Sequence, residues 1–168
     1  IMSLLGIDVG TSSCKAAVFS VDGKCYGISQ DEYGFIPAGE GIFEVNTSMV
    51  WSKIKNVIKE AVSKIPAWDN ISALSVSSMG EAVVPVTKNR EILSTSIISS
   101  DIRGMNYIDT LKEYKNEADL YGINPNILSP NYTLPKLLWI NDNQPDIYNK
   151  TDKFLYWADF VCFMLGSE

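Results

Sequence analysis

Three short apolar runs open the chain. Leu4 to Val9 leads through Asp8 into Gly10, Lys15 to Ser20 follows, and Cys25 to Gln30 comes third. Val21-Asp22-Gly23-Lys24 separates the second from the third, and an Asp-Gly pair between apolar runs marks a hairpin, because these residues tolerate the positive φ of a tight turn. The pattern predicts a three-stranded antiparallel meander. Asp31 to Gly41, glycine-rich and carrying Pro37, reads as a loop. From Asn46 the period lengthens: Val50, Trp51, Ile54, Val57, Ile58, Ala61, Val62 and Ile65 recur at helical spacing, Asn46 or Thr47 can cap, and Pro66 closes the run. Ile71 to Ser78 and Ala82 to Val86 read as strands, a turn falls at Lys88-Asn89-Arg90, and Ile92 to Ile98 is a further apolar piece. Arg103 to Asn116, Leu134 to Asn143 and Ala158 to Leu165 carry weaker helical periods between polar loops that contain Pro125, Pro130 and Pro145. Strands, a long helix and more strands predict an α/β domain.

Composition narrows the chemistry. At 168 residues and 46% hydrophobic, the chain can bury one core and reads as one domain or a large piece of one. A net charge of −6 without a Lys/Arg cluster offers a polyanion no footprint, so no nucleic-acid partner is expected. No apolar run reaches the roughly 18 residues of a membrane span, and the start lacks a signal-peptide pattern, so no membrane partner is expected either. Cys14, Cys25 and Cys162 form no C-x-x-C and read as reduced thiols of a cytoplasmic protein. With no histidine, a Ser-His-Asp triad, a Cys-His pair and a His-containing zinc site are excluded within these residues. The sequence stops at Met164-Leu165-Gly166-Ser167-Glu168, directly after a helical pattern, which leads us to expect a piece of a larger protein.

The candidate chemistry lies in Gly6-Ile7-Asp8-Val9-Gly10-Thr11-Ser12-Ser13-Cys14-Lys15. Its glycines fit neither G-x-G-x-x-G nor G-x-x-x-x-G-K-[ST]. Ala16-Ala17-Val18-Phe19 followed by Asp22-Gly23 makes the next element a strand, so the loop is a turn whose amides can curl around a phosphate. Thr11, Ser12 and Ser13 add hydroxyl donors, and Lys15 adds positive charge. Asp8 would repel a bare phosphate; its sensible partner is hydrated Mg²⁺, which accepts one carboxylate plus waters and phosphate oxygens. A plain surface hairpin uses the same residue types for conformational reasons.

Gly6-Ile7-Asp8-Val9-Gly10-Thr11-Ser12-Ser13 resembles the first phosphate motif of the actin-like, ribonuclease H-like ATPase superfamily, which includes sugar kinases and heat-shock chaperones. Lys15 sits where the FGGY carbohydrate kinases usually have Lys or Arg. Gly41-Ile42-Phe43-Glu44-Val45-Asn46 leading to Trp51 is similar to their "G-x-x-E-x-(D/N)-P" helix entry, with Thr47 in place of Pro. Ile71 to Glu81 resembles their central strand and substrate loop, Ile98 to Arg103 the segment that follows, and Tyr132 to Trp139 the "T-x-P-K-L-L-W" landmark. The closing Leu165-Gly166-Ser167-Glu168 resembles "L-T-G-E".

The resemblance covers essentially the whole chain and implies a ribonuclease H-like α/β domain whose mixed sheet begins with the antiparallel meander and is flanked by helices. Residues 1–168 would be the N-terminal portion of the first kinase domain, with an adenosine-binding second domain elsewhere. It implies ATP and Mg²⁺ as cofactors, a small sugar, sugar acid or polyol as substrate, and a possible homodimer. Asp8, Gly10, Thr11, Ser12, Ser13 and Lys15 fall on the nucleotide side, with Asp8 on Mg²⁺ through water. Met79, Gly80, Glu81 and Asp101 fall on the sugar side. Met79-Gly80-Glu81-Ala82 matches neither the Gln-Met-His-Gly of xylulose-type kinases nor the Gln-Arg-Glu of glycerol kinases, and Ser99 replaces the tryptophan of "W-x-D-x-R". The family's catalytic aspartate belongs to a later segment, so these residues alone are expected to be inactive. Two alternatives stay open: an actin- or chaperone-like conformational ATPase, and a noncatalytic sugar-binding module.

Overall fold

The computed structural model describes residues 2–166, the side chain of Ala38 excepted; Ser167 and Glu168 of the expected closing landmark lie outside the described residues. In chain order the elements are β1 (Met2–Val9), β2 (Ser13–Ser20), β3 (Cys25–Glu32), β4 (Ile36–Gly39), β5 (Ile42–Val45), α1 (Thr47–Val62), β6 (Asn70–Ser78), β7 (Val83–Val86) and β8 (Ser96–Ile97). There follow α2 (Ile108–Tyr114), α3 (Glu117–Ile123), α4 (Thr133–Asn143), α5 (Pro145–Lys150), β9 (Lys153–Tyr156) and α6 (Trp157–Leu165). The chain forms two units: one from the segment ending at Phe35 with Asn46–Met79 and the segment from Trp157, the other from Ile36–Val45 and Gly80–Tyr156.

In the first unit the sheet order is β3-β2-β1-β6, with the expected meander antiparallel and β6 parallel to β1. Strand alternation sends Leu5, Ile7 and Val9, with Cys14, Ala16 and Val18 of β2, into the core and leaves Asp8 and Lys15 on the other face. Helix α1 covers β2 and β3 with Val50, Trp51, Ile54, Val57 and Ala61, the stripe its period predicts. Asn46 caps it by accepting the Met49 N–H at 3.0 Å. Phe160 of α6 packs edge-on against Trp51 and Trp157, with ring centroids 5.7 and 5.3 Å apart. Gly27 lets α1 approach closely, since a Cβ there would lie 3.1 Å from the Ala61 carbonyl oxygen.

The second unit holds an antiparallel sheet of order β4-β5-β8-β7-β9. Here the sequence expectations need correction. Asp31 to Gly41 is not one loop: β3 continues to Glu32, and β4 pairs with β5 through a turn that holds Gly41 at φ 70°. Pro37 is tolerated because β4 is an edge strand. The Ile92 to Ile98 piece contributes only two strand residues and an isolated bridge from Ile92 to Val86. Arg103 to Asn116 breaks into a 3₁₀ turn at Met105–Tyr107, then α2, and Lys115 turns extended so that Asn116 can cap α3. Pro145, expected in a loop, starts α5, where its missing N–H costs nothing. Among the described residues no helix is long and apolar enough to cross a membrane.

Candidate functional site

The β1–β2 register sets Asp8 opposite Lys15 and Val9 opposite Cys14, and the Gly10 N–H donates to the Ser13 carbonyl at 2.9 Å to close the turn. Asp8 Oδ2 and Lys15 Nζ stand 4.0 Å apart with side chains 50% and 47% exposed. A pair this long and this wet contributes little to stability, so both charges are available to a ligand. β6 places Ser77 beside Asp8 and Ser75 beside Gly6. Together with Lys15 and Ala17 these residues line an open hollow of about 370 Å³ on the sheet face. Thr11 and Ser12 are exposed at the turn's tip, and Ser13 is half-buried at the start of β2.

Tyr33, which the sequence reading passed over, sits behind that turn. Its hydroxyl donates to the Gly10 carbonyl at 2.5 Å, and its N–H donates to the Ser12 carbonyl at 2.8 Å. The residue is 7% exposed. Burial, reinforced by Cys14 and Asp8, pushes its phenol well above the usual range, so the hydroxyl keeps its proton. A single tyrosine after a strand carries no periodic signal that could have flagged it.

Of the residues expected on the sugar side, Met79 belongs to the first unit: it is buried, and its N–H donates to the Val9 carbonyl at 2.8 Å. Gly80 is exposed, with nothing within 4 Å of where a Cβ would stand. Glu81 adopts φ 53°, a left-handed conformation that costs a non-glycine residue on the order of 1 kcal/mol. Two anchors hold it there. Glu81 Oε2 accepts the Thr133 N–H and hydroxyl, both at 2.7 Å, and so caps α4, whose own N-cap residue Tyr132 supplies no side-chain bond. The Glu81 carbonyl accepts from Lys136 Nζ at 3.0 Å.

Lys136 is fully buried, and its ammonium also donates to the carbonyls of Ile98 at 2.9 Å and Asn131 at 2.6 Å. Burial pushes its pKa down to about 8 against the pull of Asp101 and Glu81. Glu81 Oε1 accepts no hydrogen bond among the described residues.

Asp101, expected on the sugar side, is buried. It has no exposed surface; Oδ1 accepts the Arg103 N–H and Nε–H, each at 2.9 Å, while Oδ2 accepts Arg103 Nη2 at 2.8 Å and the Phe43 N–H at 2.7 Å. Arg103 Nη2 also reaches Glu44 at 2.7 Å, and the guanidinium lies 4.6 Å from the Trp139 ring centroid. Burial works against the charge of Arg103, but its bonds to Asp101 and Glu44 overrule it and raise the pKa. With its carboxylate accepting three hydrogen bonds from Arg103 and one from Phe43, Asp101 braces these segments internally.

Among the described residues no cluster of three His, Cys, Asp or Glu side chains could hold a metal. A protein cage is thus ruled out among them, whereas a half-exposed carboxylate beside hydroxyls suits Mg²⁺ held mainly by water and phosphate oxygens.

The profile of the FGGY family of carbohydrate kinases, N-terminal domain, matches residues 3–168. The autoinducer-2 kinase of Salmonella typhimurium is 31% identical over 172 aligned positions, covering 98% of this chain and 32% of the relative. The xylulose kinase of Bacillus subtilis is 28% identical over 164 positions, covering 96% of this chain and 32% of the relative. The crystal structure of xylulose kinase from Rhodospirillum rubrum superposes with a TM-score of 0.88 at 19% identity, over 96% of this chain and 33% of that one. The superposition establishes the fold as the actin-like ATPase fold of these kinases. The chain spans about a third of the length of the curated relatives it matches. Matched to that N-terminal domain along nearly all its residues, it belongs to the FGGY family of carbohydrate kinases.

Proposed function

We propose that residues 1–168 are the N-terminal portion of the first domain of an ATP-dependent kinase that transfers the γ-phosphate of MgATP to a hydroxyl of a small sugar, sugar acid or polyol. One observation carries this reading: a hydroxyl-lined hairpin turn flanked by the facing, solvent-accessible Asp8 and Lys15, in a chain of this family. Thr11, Ser12 and Ser13 donate hydrogen bonds to phosphate oxygens, Gly10 keeps the turn tight, and Lys15 offsets their charge. Asp8 would hold Mg²⁺ through water; the ion, when bound, neutralises and orients the phosphates.

On the acceptor side, Glu81 Oε1 accepts a sugar hydroxyl, and Gly80 keeps the approach open. Met79 is buried just ahead of that loop, and Asp101 is held by Arg103 and the Phe43 N–H. The names of relatives, autoinducer-2 kinase and xylulose kinase, point to a small polyhydroxylated acceptor. The proton acceptor belongs to a segment outside residues 1–168, so this piece alone does not turn over.

Asp8→Asn and Lys15→Ala in the full-length kinase test the nucleotide half. Asp8→Asn is expected to lower kcat about 10- to 100-fold with rescue by high Mg²⁺, and Lys15→Ala to raise KM for MgATP while KM for the sugar stays put. Unchanged MgATP kinetics in both variants would refute the assignment.

A further inference from the structure

A loop that binds phosphate must show the ligand its N–H groups and hide its carbonyls, because each carbonyl oxygen repels an anion. The turn after β1 contains Gly10, the residue type that most easily lets a neighbouring peptide flip and exchange donor for acceptor. Something outside the turn must therefore fix its peptide planes.

Tyr33 grips two of them. Its hydroxyl takes the Gly10 carbonyl at 2.5 Å, and its N–H takes the Ser12 carbonyl at 2.8 Å. No peptide bond among the described residues is cis. In a trans peptide the C=O and the following N–H point in opposite directions. Drawing the Gly10 and Ser12 carbonyls toward Tyr33 thus turns the Thr11 and Ser13 N–H groups to the opposite side. The Thr11 and Ser12 N–H groups donate no backbone hydrogen bond among the described residues. We infer that Tyr33 is the positioning residue of the phosphate loop: it pins two carbonyls back so that the turn presents amides to a polyphosphate. The inference rests on the phosphate-loop reading above. Burial favours the protonated phenol, which keeps the hydroxyl a donor to the Gly10 carbonyl.

Tyr33→Phe tests this, because it keeps the buried ring and deletes only the bond to Gly10. The probe is magnesium tripolyphosphate, titrated into the ¹⁵N-labelled full-length protein while the Thr11, Ser12 and Ser13 amide signals are followed. In the free protein the variant is expected to shift the Thr11 amide and speed its hydrogen exchange, with the α1 amides unmoved. Tripolyphosphate should then bind about three- to tenfold more weakly. Equal affinity in both proteins would overturn the inference, as would a lowered melting temperature with unmoved loop amides, the mark of a merely structural tyrosine. If the wild-type loop amides ignore tripolyphosphate, the phosphate-loop reading itself falls, and the inference with it.

Discussion

Lys136 buries an ammonium with no exposed surface and spends its donors on the carbonyls of Glu81, Ile98 and Asn131, tying three chain segments together. Its folded pKa, pushed down by burial to about 8, lies below its ordinary value of 10.5. Between those values the folded protein binds fewer protons than the unfolded chain, so rising pH favours the folded state across that window. Denaturant unfolding of wild type and Lys136→Met at several pH values is expected to show wild type gaining stability relative to the variant from pH 8 to about 10.5; a loss over that range would contradict it. Asp8 and Lys15 were legible as members of one turn motif, whereas their facing register across β1 and β2 came from the fold. Lys136 and Tyr33 were not: their partners are main-chain carbonyls, most of them distant in sequence, which no spacing encodes.

Helix α1 shows what periodicity reads well: a 16-residue amphipathic run with its apolar stripe on the sheet and a capping residue at its start. Asn46→Ala is expected to destabilise the protein by about 1 kcal/mol, measured by thermal or denaturant unfolding, because the Met49 N–H loses its acceptor. Short elements were read poorly for a physical reason. β4, β5 and β9 have four residues each, and β8 has two, too few for an alternation to stand out. Although β4 and β5 pair through a short turn, β5 and β9 also take partners far along the chain, β8 and β7. The α2–α3 break likewise depends on one extended residue, Lys115, and on the local cap at Asn116.

At the scale of the molecule, the first unit carries Asp8 to Lys15, the residues proposed for the nucleotide, and Met79, while the second carries Gly80, Glu81 and Asp101. This division follows from the chain path, which leaves the first unit after Phe35 and again after Met79. The family's ordered motifs made the fold legible in the sequence even where individual strands were missed, because a motif match needs only residue order. The acceptor's identity was not legible, since Met79-Gly80-Glu81-Ala82 departs from the xylulose-type and glycerol-type loops alike. The central claim, phosphate transfer from MgATP to a sugar through this domain, is tested most directly by ³¹P NMR of the full-length protein with MgATP and a panel of ketoses, sugar acids and polyols. A sugar phosphate is expected from at least one acceptor, formed one-for-one with ADP, and none from the 168-residue piece alone. ATP hydrolysis that ignores every sugar, or robust transfer by the 168-residue piece, would contradict it.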